Sequence, residues 1–77
     1  LQIAGLNKGF TKVFHRQSDQ KNSFWYYKDD QLISVEAIND PQSYMVGKKL
    51  LEMKKTPSPK DIVSNKINLK DILREIK

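Results

Sequence analysis

The chain has no cysteine, one histidine, three glycines and three prolines in 77 residues. Without cysteine there is no disulfide staple and no thiol chemistry, and His15 alone cannot build an ordinary zinc site. The glycines, Gly5, Gly9 and Gly47, stand apart, so no G-x-G phosphate-binding turn can be drawn. No apolar run approaches the roughly 18 residues that suggest a membrane span. No segment has the layout of a signal peptide. These features lead us to expect a cytoplasmic protein with no membrane partner. A chain of this length makes one domain of modest burial, residues 1–77. It opens on Leu1 inside an apolar run, LQIAGL, and is expected to be a piece of a longer protein.

What the chain does have is positive charge, unevenly placed. Residues 1–40 carry five Lys/Arg and five Asp/Glu, for a net of zero. Residues 41–77 carry nine basic and four acidic residues, so the whole net charge of +5 lies there. Such an excess favours an acidic partner through long-range steering. A solvated lysine-rich surface has the same composition.

Two periods divide the chain. LQIAGL, FTKVFHRQ, SFWYYK and QLISVEAIN read as strands, with alternation or aromatic and β-branched content. In the last of these, Ile33, Val35 and Ala37 share a face at period two. Asp29 and Asp30 tolerate the left-handed backbone of a two-residue turn, so residues 22–39 read as one hairpin. Gln17–Asn22 reads as a polar loop before it, and Gly5 and Gly9 bracket a bend after the first strand.

Helical signals follow. Asp40 and Pro41 are an N-cap and a first-turn proline, and the helix runs to Met53 or Lys54. Its stripe is Val46, Leu50 and Met53, with Tyr44 and Leu51 beside it. Pro57 and Pro59 end it. Ser58 and Asp61 open a short helix near residues 59–65, and Asn68 and Asp71 open another. There Leu69, Ile72, Leu73 and Ile76 fall at helical spacing. The expected fold is α+β: an antiparallel sheet of three to four strands, then two to three helices packed on one face.

No motif carries catalysis, and no catalytic or metal-binding residue is assigned. His15 reads as a rim histidine. Glu36 reads as solvated or paired across strands with a lysine. The run Phe24-Trp25-Tyr26-Tyr27 offers two readings. Alternate rings can fill the core, or the outward rings can stack on single-stranded nucleic acid. The basic residues lie on the helical half, away from this strand, so no nucleic-acid partner is expected.

Four collinear segments carry a family resemblance. LQIAGL is similar to the opening strand of the C-terminal domain of putidaredoxin-reductase-like flavoproteins, the FAD-dependent NAD(P)H:ferredoxin reductases. SFWYYKDDQLISVEAINDP resembles that family's aromatic strand, turn and V-x-A-V-D/E-A-V-N segment, here Ile33 to Asn39, with Pro41 two residues on. YMVGKKLL resembles the next helix, and INLKDIL the closing P-L-K-E/D-L helix, with Asn68 where the family often has proline. The likeness runs from Leu1 to about Leu73.

The resemblance implies a C-terminal domain cut from a longer flavoprotein, whose FAD and NAD(P)H sites lie upstream, so this chain contributes no cofactor-binding residue. It implies a parent that passes electrons from NAD(P)H through FAD to an iron–sulfur ferredoxin. The domain would cover the parent's own FAD and NAD domains. It would also present basic side chains to the acidic acceptor, with Lys48 and Lys70 at matching positions and Lys49 as a neighbour. A free-standing basic module, either homodimeric or binding single-stranded nucleic acid, is the alternative.

Overall fold

Period-two alternation over the first forty residues and helical spacing beyond them yield two layers. The computed structural model describes residues 1–64 and 68–75. Its order is β1 (Gln2–Gly5), β2 (Lys12–Ser18), β3 (Lys21–Lys28), β4 (Gln31–Ile38), α1 (Pro41–Glu52), α2 (Pro59–Val63) and α3 (Leu69–Glu75). The four strands form one antiparallel sheet in the order β1-β4-β3-β2. The expected α+β arrangement, sheet first and helices after, is what forms.

The turn between β3 and β4 is the one expected. Asp29 and Asp30 sit at φ 50° and 69°, the backbone a two-residue hairpin turn requires. The polar loop expected at Gln17–Asn22 does not exist. β2 and β3 pair through Ser18 opposite Lys21, leaving a two-residue turn in which Asp19 has φ 54°. Polar residues here remain in the ladder because their backbone groups pair whatever the side chains are. Gly5 and Gly9 both have positive φ, and they delimit the bend as expected.

The inner face of the sheet is set by the pairing Ala4, Val35, Trp25 and Phe14. Trp25 and Val35 are fully buried. The expected face Ile33, Val35, Ala37 holds for Val35 and Ala37 and fails at Ile33. Register shifts between Tyr26 and Tyr27, so that Tyr26 faces Ser34 but Tyr27 faces Leu32. The extra residue reverses the phase of the strand end. Leu32 enters the core and Ile33 is left half-buried.

The helices close over this face. α1 packs on β1 and β4, α2 on β2, and α3 against α1. Val46, Leu50, Ile62, Leu69 and Ile72 join Trp25, Tyr27, Leu32 and Val35 in one core, with Phe14, Leu51 and Leu73 against it. Met53, expected in the stripe, is instead 40% exposed, because α1 ends beside it. Ile76 lies outside the described residues.

Polar tips inside the core are satisfied. The Trp25 indole N–H donates to Ser23 Oγ at 2.9 Å, and the Tyr27 hydroxyl donates to the Pro57 carbonyl at 2.7 Å. Among the described residues no buried side-chain polar atom lacks a partner. Burial, with Asp61 nearby, pushes the Tyr27 phenol well above its ordinary range.

The helix ends use local chemistry. Asp40 accepts from the Ser43 N–H at 3.2 Å and the Ser43 hydroxyl at 2.6 Å, capping α1 as expected. At the other end Lys54 has φ 56°, while Lys54 N–H donates to Leu51 O and Lys55 N–H to Leu50 O. This is the paired carbonyl capture that usually employs glycine. Ser58 makes no side-chain cap to α2, contrary to the S-x-x-D expectation. Its carbonyl accepts from Asp61 and Ile62 N–H instead, and Pro59 leaves one fewer amide to satisfy. Asn68 Oδ1 accepts from Lys70 N–H at 3.0 Å at the start of α3.

α2 is only five residues long and is anchored from the sheet. Arg16 Nη1 donates to the carbonyls of Asp61, Ile62 and Ser64 at 3.2, 3.0 and 2.8 Å. Those are the acceptors that a helix end leaves open. Partial burial lowers the Arg16 pKa somewhat, and Asp40 works in the opposite direction.

Candidate functional site

Lysines on a helix are ordinary; what matters is which ones share a surface. α1 carries Lys48 and Lys49 in its second half and α3 carries Lys70 in its first turn. Where α3 lies against α1, a groove of about 580 Å³ opens, lined by Gln42, Met45, Val46, Lys49, Lys70 and Leu73. Its floor is aliphatic, and each helix contributes one ammonium group. Lys48 turns elsewhere. It lines a second groove of about 420 Å³ with Ile3, Ala4, Gly5, Tyr44, Leu51 and Glu52.

The three lysines expected to act together are therefore split. Lys49, the neighbour of lesser claim, is brought to Lys70, while Lys48 lies beside the β1 edge near the carboxylate of Glu52. Residues 48 and 49 are about 100° apart around a helix, so a one-residue difference decides which groove each enters.

Sequence reasoning missed Met45 and Gln42. Met45 is 65% exposed on α1 and lines the same groove as the two cations. A large apolar side chain one position off the core stripe was the available signal. An adaptable thioether in such a place suits a contact surface.

The other side of the sheet is built differently. Pairing puts Ile3, Glu36, Phe24 and His15 in one row and Ser34, Tyr26 and Val13 in the next. Phe10 meets Tyr26 edge-on, with centroids 4.9 Å apart. His15 is exposed, as expected, stacked 4.6 Å from Phe24 and bonded to Asn22 Oδ1 at 2.8 Å. Glu36 corrects an expectation, because its partner is the Tyr26 hydroxyl, which donates to Oε1, and not a lysine. That bond to the carboxylate raises the Tyr26 pKa.

No set of His, Cys, Asp or Glu among the described residues could hold a metal ion. None of the described helices is long and apolar enough to cross a membrane.

Comparison with solved structures gives the same architecture. The chain is similar to a ferredoxin reductase from Rhodopseudomonas palustris, with a TM-score of 0.84 and 31% identity, and covers 90% of this chain and 18% of that one. It is also similar to putidaredoxin reductase in its covalent complex with putidaredoxin, with a TM-score of 0.88 and 21% identity, and covers 96% of this chain and 18% of that one. At that identity the second match speaks to the fold alone. The chain thus spans less than a fifth of either protein. A family model described as the reductase C-terminal family matches residues 1–73. Four antiparallel strands, three helices and a match over nearly the whole chain lead to one assignment: the chain belongs to the reductase C-terminal family.

Proposed function

We propose that these residues are the C-terminal domain of an FAD-dependent ferredoxin reductase, which passes electrons from NAD(P)H through FAD to an iron–sulfur ferredoxin. In this reading the domain contributes no reacting group. It packs on the cofactor-binding part of the enzyme and offers the acceptor protein a place to dock. The observation that carries the docking role is the α1–α3 groove, where Lys49 and Lys70 flank an aliphatic floor that includes the exposed Met45.

The chemistry suits a brief encounter between electron-transfer partners. Two ammonium groups draw an acidic surface in, and a small apolar floor excludes water without binding tightly. The membership shown by the family match and the basic balance of residues 41–77 support the same reading. The aromatic sheet face suits nucleic acid poorly. Glu36 stands between its rings, and a carboxylate there opposes phosphate.

The test uses the full-length reductase. Lys49→Glu with Lys70→Glu should slow reduction of an acidic ferredoxin on the order of tenfold at low salt, and flatten its dependence on ionic strength. Lys48→Glu should have a smaller effect. Reduction of a small artificial acceptor should stay unchanged in both variants. Equal loss with both acceptors would mean that the lysines serve something other than docking.

A further inference from the structure

The helical layer has its groove and its cations, but among the described residues the opposite face of the sheet has neither a covering element nor a cation in its centre. Ile3 is 53% exposed, Val13 45% and Phe10 44%. They surround the half-buried rings of Phe24 and Tyr26. The chain has 14 Lys/Arg, yet the two rows Ile3-Glu36-Phe24-His15 and Ser34-Tyr26-Val13 contain none. A sheet surface meant for water alternates polar residues outward. This one puts aromatic and aliphatic groups there, with the charge depletion typical of the centre of an interface.

The single carboxylate on the face is already prepared for burial. Glu36 accepts from the Tyr26 hydroxyl. Covering the face would leave that carboxylate hydrogen-bonded, which lowers the cost of taking it out of water. Leu6, in the loop after β1, is 82% exposed.

We infer that this outer sheet face, centred on Phe24, Tyr26 and Glu36, is the seat by which the domain packs against the cofactor-binding part of its own reductase. The inference rests on the reading of the chain as a reductase domain. Both solved relatives carry more than four-fifths of their length outside the matched region, so a large occupant within the same chain is at hand. The two faces then divide the work. The aromatic face is covered permanently, and the basic groove on the far side of the core stays open to the acceptor.

Oxidative footprinting of the full-length reductase tests this, with Met45 as the internal reference for an open surface. Phe10, Val13 and Tyr26 should be labelled severalfold more slowly in the native enzyme than after unfolding, at every protein concentration. Met45 should keep most of its reactivity. Ile3→Lys with Val13→Lys should restore labelling of Phe10 and Tyr26 and hasten proteolytic release of the domain. Both substituted side chains are about half exposed, so the domain itself should fold, which circular dichroism of the variant would verify. Free labelling of Phe10 and Tyr26 in the native enzyme would overturn the inference. So would protection that disappears on dilution, since the occupant would then be a second copy. Docking can fail separately: if Lys49→Glu and Lys70→Glu leave ferredoxin kinetics unchanged while the sheet stays protected, the seat stands without the groove.

Discussion

Lys54 holds a backbone conformation that costs a side-chain-bearing residue about 1–2 kcal/mol. It does so to let two amides close the end of α1. Its side chain is exposed, so removing it sacrifices no packing. Lys54→Gly should therefore stabilise the fold by about 0.5–1 kcal/mol, with the greater freedom of glycine in the unfolded chain offsetting part of the gain. Chemical denaturation of both proteins would measure it, and a loss of stability would mean that the ammonium group has a role at the helix end. Tyr27 makes a second residue-scale case. Tyr27→Phe should cost about 1–2 kcal/mol at neutral pH by leaving the Pro57 carbonyl without its donor. The alkaline behaviour has the opposite sense. The unfolded phenol ionises near pH 10, while the folded one keeps its proton to higher pH. Stability from this source is complete below about pH 10 and drains away as pH rises. The phenylalanine variant should thus lose less stability between neutral and strongly alkaline pH than the parent chain does.

Elements meet where a missing side chain lets them. Gly47 is buried in α1, and a Cβ there would lie 2.6 Å from Val35 Cγ2 on β4. Gly47→Ala should gain about 1 kcal/mol of helix propensity and lose about 1–3 kcal/mol to overpacking. Overpacking should win, because the obstacle is a fully buried core side chain. Adding Val35→Ala should make the pair less damaging than the sum of the two changes, and a double-mutant cycle by thermal unfolding would read that coupling. How far the elements could be read in advance follows from similar local facts. The Asp29–Asp30 turn, the Asp40–Pro41 start and the Leu69-Ile72-Leu73 stripe each have a short-range chemical cause, and all three formed as expected. The Asp19–Gln20 turn has one turn-forming residue where Asp29–Asp30 has two, and it lies inside a longer polar run. The shift at Ile33 depends on how Tyr26 and Tyr27 meet the facing strand, which no pattern within β4 reveals. The groove was harder still. Lys49 and Lys70 are adjacent only because α3 crosses α1, and the one-residue choice between Lys48 and Lys49 depends on that crossing.

At the scale of the whole molecule, two surfaces with different chemistry lie on opposite sides of one core. Two charge reversals on separate helices, at Lys49 and Lys70, should act as one, since a single partner surface would meet both. A domain seated by its sheet face can present only the helical one. Family membership was legible from four collinear segments, and the family match runs over residues 1–73.

The separation of charge has one further outcome. With no net charge in residues 1–40, and seven Lys/Arg against four Asp/Glu among the described residues of the second half, 41–64 and 68–75, the described molecule is an electric dipole whose positive pole is the helical layer with its connections. An anion approaching from any side exerts a torque before it makes contact, turning that layer toward itself. At physiological salt the torque reaches only about 8–10 Å beyond the surface, so it acts in the last moments of a collision. Lowering the ionic strength should lengthen that reach, and the share of collisions that arrive correctly oriented should rise with it.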